Sequence, residues 1–437
     1  MPKNLNLSTF ALILLIVIEN LLLYVTHRNH VFSQGKNSSL FVLTGLAIAF
    51  TLLARFYKKS ISIAETPKSK ANAIQVLVYI TLFAFSAFYI GQAVVLPWLE
   101  KIKIDRNNSD IVPMIQYMEG NFMKHISPYK PVNFFGTWGT PTYLPMHWLP
   151  FIIPDLLGID FRWLPYTLCA ASLLIILARA LRKTQNSLFG FLFSAATFYA
   201  LWIIPNNGHT IITDTIEILI ACYYMFMIVG CNMRKGYFAG IFIAFCLLSR
   251  FSLVFWVPLY AFILFTGGQK KILLQAAGTA FVWVLLLYVV PFLSNDWGLL
   301  TKGQGGYLEA AKFEWGRDDW NGLPLHLYSG VGFAYYFLSH LPSLDLEHKI
   351  KLFQKFQLAL PILTSIGLGT WYYFNKRKID FRIFLMVSFK AYFTVFLFFI
   401  QVPYIYLMSV GNLVSIAMLL EQCRYKILPD NNLDATN

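Results

Sequence analysis

The stretch FAGIFIAFCLLSRFSLVFWVPLYAFILF, Phe238–Phe265, decides the class of this protein. Its side chains are apolar or small along almost the whole length, but Ser249 and Arg250 stand at its centre. An arginine held at the middle of a bilayer costs at least about 2.5 kcal/mol. A cation kept at such a position is therefore a candidate functional residue, and its surroundings have to be explained.

The composition predicts an integral membrane protein along the entire chain. Of the 437 residues, 57% are hydrophobic and 13% charged, whereas soluble domains carry about 25% charged residues. Apolar runs of membrane-spanning length recur from end to end, which predicts an all-α polytopic membrane protein forming a single domain, 1–437. The first run, 9–25, contains Glu19 and lacks a small-residue cleavage site, so we interpret it as a retained helix.

The net charge of +14 indicates orientation and not a nucleic-acid partner. The basic residues cluster in short connections between apolar runs, which is the positive-inside pattern of membrane proteins. Two longer connections, 98–160 and 294–356, mix acids and bases. We therefore predict that both of these loops face away from the cytoplasm, in a cell or inner membrane. The basic clusters are Arg55–Lys70, Arg179–Lys183, Arg234-Lys235, Lys270-Lys271, Lys376–Arg382 and Arg424–Lys426.

Placing every basic cluster in the cytoplasm gives one consistent threading with about 12 transmembrane helices and both termini cytoplasmic. Segments 141–157 and 323–341 are apolar but interrupted, and whether they span the membrane is left open. The predicted helices are 9–25, 39–56, 73–97, 161–181, 187–204, 209–230, 236–248, 252–266, 271–293, 357–374, 381–400 and 403–421.

The threading explains the charge in the opening stretch. Since basic pairs flank it on both sides, the chain has to cross and return, with Arg250 near the turn. Each limb of about 13 to 15 residues gives about 20 Å of helix, which is less than the hydrocarbon thickness of about 30 Å. Arg250 is thus predicted at the floor of an outward recess, where a guanidinium suits a phosphate. The alternatives are an arginine that reaches the interface or one that pairs with a carboxylate.

Further polar residues are predicted near this recess. Asp214 and Glu217 are spaced i, i+3 on helix 209–230 and would share one face. They either contact a polar substrate or form a structural ion pair with Arg250 or Lys390. His209 would lie at the rim.

Both outward loops carry candidate residues. In the first loop, Asp105 and Asp110 precede an amphipathic stretch that Ser109 is placed to cap, and the aspartates are either functional or cap and rim residues. In the second loop, aromatic residues lie beside polar ones and form either a sugar-binding surface or an interfacial aromatic belt. The polar residues of that loop are Arg317, Asp318, Asp319 and Asn321.

The first loop resembles that of a known superfamily. SDIVPMIQYMEGNFMKHISPYKP (109–131) and TPTYLPMHWLPFIIPDLLG (140–158) are similar to GT-C glycosyltransferases. They look most like the polyprenol-phosphate-mannose-dependent mannosyltransferases of glycosyltransferase family 87 and the GPI mannosyltransferase I catalytic subunit. Downstream, Gly208-His209 stands for the family's G-Q element, Ala239-Gly240 for A-G and Arg250 for a lysine. QVPYIYLM (401–408) resembles a late proline-aromatic element.

The resemblance implies a GT-C-like bundle whose large first extracytoplasmic loop bears amphipathic helices. It implies a hexosyltransferase that moves a sugar, mannose in the family, from a polyprenyl-phosphate donor to a glycan or lipid-linked acceptor, with inversion and on the extracytoplasmic face. Asp110, or failing that Asp105, would be the catalytic base, and Arg250 would bind the donor phosphate. Neither a cofactor nor a metal is expected. The residues expected to contact substrate are Tyr129, Tyr143, His147, His209, Asp214 and Glu217.

Two other functional classes remain open from the sequence. Buried charges and broken helices also suit a multi-pass transporter or flippase of a lipid-linked or anionic substrate. The large outward loops and the lack of a sustained internal repeat disfavour that class. The third reading is a non-catalytic assembly subunit.

Overall fold

A computed structural model describes residues 7–28, 36–63, 70–106, 109–134, 137–184, 187–206, 210–302, 304–319 and 322–428. The first part of the chain is built from long apolar helices with no charged residue in their middle turns except Glu19. These are α1 (Leu7–Arg28), α2 (Lys36–Phe56) and α3 (Lys70–Ile90), which continues through a π-helical turn at Gly91–Val95 into α4 (Leu96–Lys101). The surface of α3 is largely open, as expected for a helix that contacts lipid.

The first predicted loop holds short elements only. They are α5 (Ile111–Met123), α6 (Pro145–Trp148), a 3₁₀ turn at Leu149–Phe151 and α7 (Ile152–Leu156). Prolines at 145, 150 and 154 keep these turns short, because a proline interrupts the helical hydrogen-bond ladder. Segment 141–157 therefore forms no single helix of membrane-crossing length.

The central part contains α8 (Trp163–Leu181), α9 (Ser187–Asn206), α10 (Thr210–Thr213), α11 (Glu217–Cys231), α12 (Tyr237–Leu247), α13 (Trp256–Thr266) and α14 (Lys270–Val284), which continues as a π-helix over Leu285–Leu293. The predicted continuous helix 209–230 is wrong, since the chain leaves the helix between α10 and α11. There the Thr215 hydroxyl accepts from the Glu217 N–H (3.1 Å). A threonine that bonds the backbone locally competes with the helix.

The last part comprises α15 (Leu299–Lys302), α16 (Gln304–Trp315), α17 (Leu325–Ser329), α18 (Ala334–His340), α19 (Leu346–Asn375), α20 (Phe381–Phe398) and α21 (Leu407–Gln422). Segment 323–341 contains two short helices and no single crossing. Every residue of α21 is buried, and α11 is nearly as enclosed. These two helices pack together at the centre, with α8 and α20 beside them.

Strands are confined to two small antiparallel pairs within the described residues. β2 (Val132–Phe134) pairs with β3 (Thr137–Gly139), with Val132 opposite Gly139. β1 (Ile61–Ile63) pairs with β4 (Tyr425–Ile427), with Ile61 opposite Ile427. The second pair joins the connection after α2 to the segment after α21.

The prediction of an all-α membrane protein is confirmed, whereas the count of about 12 spans is not. Seven of the described helices are long and apolar enough to cross a membrane. Four further apolar helices, α11, α12, α13 and α21, have 11 to 16 residues. Short helices of this kind leave polar residues inside the bundle, and the candidate site lies at the ends of these four helices.

The connections gather at two opposite ends of the bundle. The loop end holds the described parts of 102–162, 294–345 and 399–406, where the Trp315 indole donates to the Gln401 carbonyl (2.8 Å). The basic end holds 57–63, 376–380 and 423–428, where the Lys58 N–H donates to the Lys378 carbonyl (2.6 Å). α14 runs from the basic end to the loop end, where Phe292 packs on Phe122.

Candidate functional site

Arg250 lies at the turn between α12 and α13, as the charge pattern predicts. Its backbone is extended (φ −147°, ψ 147°) and its N–H donates to the Cys246 carbonyl (3.0 Å). A 3₁₀ turn at Phe251–Leu253 then leads into α13. Both helices have 11 residues, or about 16 Å each. This is less than the hydrocarbon thickness of about 30 Å, as predicted for a hairpin that turns inside the membrane.

The guanidinium of Arg250 is paired but not saturated. It donates to Oε1 of Glu217, and Glu217 is the first residue of α11. The Glu217 side chain is 2% exposed, whereas that of Arg250 is 35% exposed. Arg250 Nε is buried and has no hydrogen-bond partner among the described residues. One of the predicted alternatives, an ion pair between Glu217 and Arg250, is therefore observed, and about a third of the arginine side chain stays open beside it.

α6 covers the turn from the loop end. The Met146 N–H donates to the Leu248 carbonyl (2.9 Å), and the buried His147 contacts the Ser249 carbonyl through Nδ1 (3.1 Å). Because a carbonyl only accepts, this contact places a proton on Nδ1. Tyr143 stacks on the His147 ring at 4.4 Å between centroids. The predicted residues Tyr143 and His147 are thus brought to the Arg250 turn.

Two tyrosines that were not among the predicted site residues also lie near the Arg250 turn. Tyr404 and Tyr406 precede α21 and stack at 5.1 Å. Tyr406 lies within electrostatic reach of Glu217, Arg250 and Tyr143. Tyr404 lies within reach of both Arg250 and Asp110. The proline-aromatic element 401–408 was the sequence signal for them.

Asp110 immediately precedes α5, but its side chain does not cap the helix. Its side chain makes no capping hydrogen bond, and the Ser109 hydroxyl accepts from the Ile111 N–H instead (3.2 Å). The same hydroxyl donates to the Asp214 carbonyl (2.7 Å), which ties α5 to the break before α11. The Asp110 carboxyl is exposed, yet the protein around it raises its pKa by desolvation. A carboxylate whose pKa is raised in this way is a stronger base than an ordinary aspartate.

A second carboxyl, not predicted as a site, interacts electrostatically with Asp110. Glu314 at the end of α16 accepts from Arg317 (3.4 Å), while its Oε2 is buried without a hydrogen-bond partner among the described residues. Burial raises the pKa of Glu314, and Asp110 contributes to the same shift. His326 Nε2 lies 3.8 Å from that oxygen, and its ring packs edge-on against Tyr404. Burial lowers the pKa of His326 to about 4, so its ring is neutral at physiological pH.

The remaining predicted residues have different positions. Tyr129 is buried in aromatic packing against Phe292 (5.5 Å), a setting typical of a packing residue. Asp214 lies in the break between α10 and α11, off the face predicted for it, and its carboxylate accepts from the Thr213 hydroxyl (2.8 Å). Asp105 is exposed on the segment leading to α5. His209 and Asn321 lie outside the described residues.

Comparison with protein families, curated proteins and solved structures gives no match for this chain. The resemblance to GT-C glycosyltransferases accordingly rests on the motifs quoted above and on the site built from them.

Proposed function

We propose that this protein is an integral membrane glycosyltransferase of GT-C type. It moves a sugar, with mannose the first candidate, from a polyprenyl-phosphate donor to a glycan or lipid-linked acceptor. The paired but partly open Arg250 carries the proposal. A guanidinium fixed by a buried carboxylate and open on its other side suits a phosphate that is attached to a lipid.

The neighbours of Arg250 support the same chemistry. Arg250 and Asp110 both act electrostatically on Tyr404, which supports a role for the two groups in one site at the loop end. Glu217 holds the guanidinium, and Tyr143 with His147 forms a flat wall next to it. Flat aromatic faces of this kind suit a sugar ring or a prenyl unit.

The proposed reaction is a single displacement. The acceptor hydroxyl oxygen attacks the anomeric carbon, and the bond from that carbon to the phosphate oxygen breaks. The Asp110 carboxylate takes the hydroxyl proton, while the bonding electron pair leaves on the polyprenyl phosphate. Arg250 stabilises the negative charge that grows on this phosphate, an interaction stronger in the transition state than in the ground state. One displacement inverts the configuration at the anomeric carbon.

The proposed topology is multi-pass, with the loop end facing away from the cytoplasm. The positive-inside pattern supports it, since the basic clusters gather at the opposite end. Lys124 at the loop end and Lys378 at the basic end are both exposed. In a cysteine-free background, a cysteine at 124 should label with an impermeant thiol reagent in intact cells. A cysteine at 378 should label only after lysis, and the reverse pattern would overturn the orientation.

The activity is tested by incubating purified protein with polyprenyl-phosphate sugars and an extract of cell-envelope glycans. A transferase releases free polyprenyl phosphate in step with sugar incorporation. A transporter or flippase leaves the donor chemically intact but moves it across a vesicle membrane. Donor translocation without release of polyprenyl phosphate would refute the proposed reaction.

A further inference from the structure

The basic end contains a cavity that the proposed reaction does not use. Its volume is about 350 Å³, and it opens where α13 and α19 end and α20 begins. Because it lies at the opposite end of the bundle from Arg250, it is separate from the site described above. We propose that this cavity binds the headgroup of an anionic phospholipid from the adjacent membrane leaflet.

The charge of the lining supports an anionic ligand. Lys376 and Arg377 line the cavity, are exposed and make no ion pair with any described residue. The Lys376 ammonium lies 4.9 Å from the ring centroid of Tyr373, which holds it by a cation–π contact. Two adjacent cations without a carboxylate partner are therefore available to a phosphate.

The acidic residue in the lining is already neutralised. Asp380 caps α20 by accepting from the Arg382 N–H (2.8 Å). Its two carboxylate oxygens also accept from the Arg382 guanidinium, at 3.0 and 2.8 Å. The lining thus keeps the two positive charges of Lys376 and Arg377. The N-terminus of the 18-residue helix α20 adds its positive dipole end beside Phe381, another lining residue.

The shape of the cavity depends on a close approach at Gly267. A Cβ at this position would lie 2.8 Å from the Tyr372 hydroxyl and 2.9 Å from the Ile263 carbonyl. Glycine therefore lets α13 end directly against α19, and both Gly267 and Tyr372 form part of the wall. The buried Tyr372 side chain thus closes this side of the cavity against Gly267.

The surroundings favour a lipid over a free phosphate. Large apolar side chains at the ends of the two flanking helices are exposed, namely Phe262, Phe265, Tyr373 and Phe374. Basic pockets between transmembrane helices, bordered by such surfaces, are typical headgroup sites, because the acyl chains can lie along the apolar helix faces. The ligand is thus an amphiphile with a phosphate and at least one acyl chain.

Native mass spectrometry of the detergent-solubilised protein tests the site, with phosphatidylglycerol and phosphatidylcholine as probes. We expect one phosphatidylglycerol to bind more tightly than the rest, and phosphatidylcholine not to show this step. Lys376→Gln/Arg377→Gln should weaken that step about thirtyfold, the scale of two basic contacts with an anionic headgroup. The exchange Lys376→Arg/Arg377→Lys keeps both charges and should retain it.

Lys124→Gln/Lys130→Gln is the matched control, since it removes two exposed charges at the loop end. An equal loss of phosphatidylglycerol in this control would overturn the site, because binding would then follow net charge alone. Displacement of the bound lipid by inorganic phosphate as effectively as by phosphatidylglycerol would also overturn it in favour of a soluble phosphate. Equal melting temperatures of the variants confirm that each one is folded.

Discussion

Lys390 and Arg250 each pair with a buried carboxylate, but their surroundings differ. The Lys390 ammonium donates to Glu19 (2.9 Å) and to the Gly411 carbonyl (3.0 Å), and the two paired side chains are 1% and 0% exposed. The Asn412 amide donates to the second oxygen of Glu19 (3.3 Å). Arg250, by contrast, is about one-third open and keeps a buried Nε without a partner among the described residues.

The difference separates a structural ion pair from a candidate binding group. The closed pair between α1 and α20 is satisfied from several directions, so a ligand has no access to it. The open pair is held by one carboxylate at a turn and has donors to spare. A buried charge is costly wherever it lies. The surroundings of each cation indicate whether its role is structural or is to bind a ligand.

The largest effect is expected from breaking the closed pair. Lys390→Met strands the Glu19 carboxylate in the bundle and should lower the free energy of unfolding by about 3–5 kcal/mol, the usual scale for a broken buried pair. Thermal unfolding in detergent measures it. Adding Glu19→Gln to Lys390→Met removes the stranded charge and should recover most of the loss. An unchanged melting temperature in the single variant would show that the pair is not structural.

The second-largest effect is expected on turnover, from a change at Asp110, whose carboxyl is accessible as Arg250 is. Asp110→Asn keeps the size and removes the basicity, so turnover should fall about a hundredfold or more. The melting temperature should stay the same, because Asp110 makes no capping bond. Asp105→Asn is the control and should remain active. If Asp105→Asn alone is inactive, the base is Asp105, and if both variants are active, the mechanism is wrong.

Arg250 tests the open pair directly. Arg250→Met should weaken donor binding by at least about tenfold, since charged hydrogen bonds to the phosphate are lost. It should destabilise the protein less than Lys390→Met does, because Arg250 is partly open. Arg250→Lys should retain part of the activity, as a point charge remains. Donor affinity and melting temperature are measured on the same preparations.

A second variant keeps this test informative if Glu217 is stranded. In Arg250→Met/Glu217→Gln the buried carboxylate is gone, so stability should return while donor binding stays weak. Normal donor affinity in Arg250→Met, together with a lower melting temperature, would show that the pair of Arg250 and Glu217 is structural, like that of Lys390 and Glu19.

The smallest effect comes from Glu119, a buried carboxyl that forms no ion pair with any cation in the described part of the chain. Burial, and then the neighbouring Asp155, raise its pKa from 4.5 to about 7. A raised pKa means that this group's contribution to stability is complete below about pH 4.5 and is lost as the pH rises through about 7. The melting temperature should therefore fall by about 2–4 °C across this range. Glu119→Gln should flatten the profile, whereas the exposed-site control Glu100→Gln should not.

The positions of the helices along the sequence could be predicted better than the contacts that their residues make with one another. The turn at Arg250 was predictable because basic pairs flank a run too long for one crossing and too short for two full ones. The break before α11 was not, since TIITDTIEIL contains neither glycine nor proline. It is accompanied there by hydroxyl groups from Ser109 and Thr215, one of which comes from a distant loop.

The pairing of the buried charges was also beyond local pattern. The sequence left Arg250 and Lys390 as alternative partners for the acids of α11, and the structure assigns Lys390 to α1 instead. Glu314 was missed for a similar reason, because it stands in a predicted loop with many charges, while the groups that it interacts with electrostatically, Asp110 and Tyr404, are distant in sequence. Contacts between residues that are far apart in the sequence leave no periodic pattern from which they could be predicted.

The closed pair has a consequence for how the chain is made. Glu19 and Lys390 are 371 residues apart, so at about 5–20 residues per second α1 is synthesised roughly 20–75 s before its partner. During biosynthesis the insertion machinery has to shelter α1 with an unmatched acidic side chain until α20 emerges. The environment of the first helix is therefore completed only near the end of translation, and a chain that stops before Lys390 leaves Glu19 without its partner.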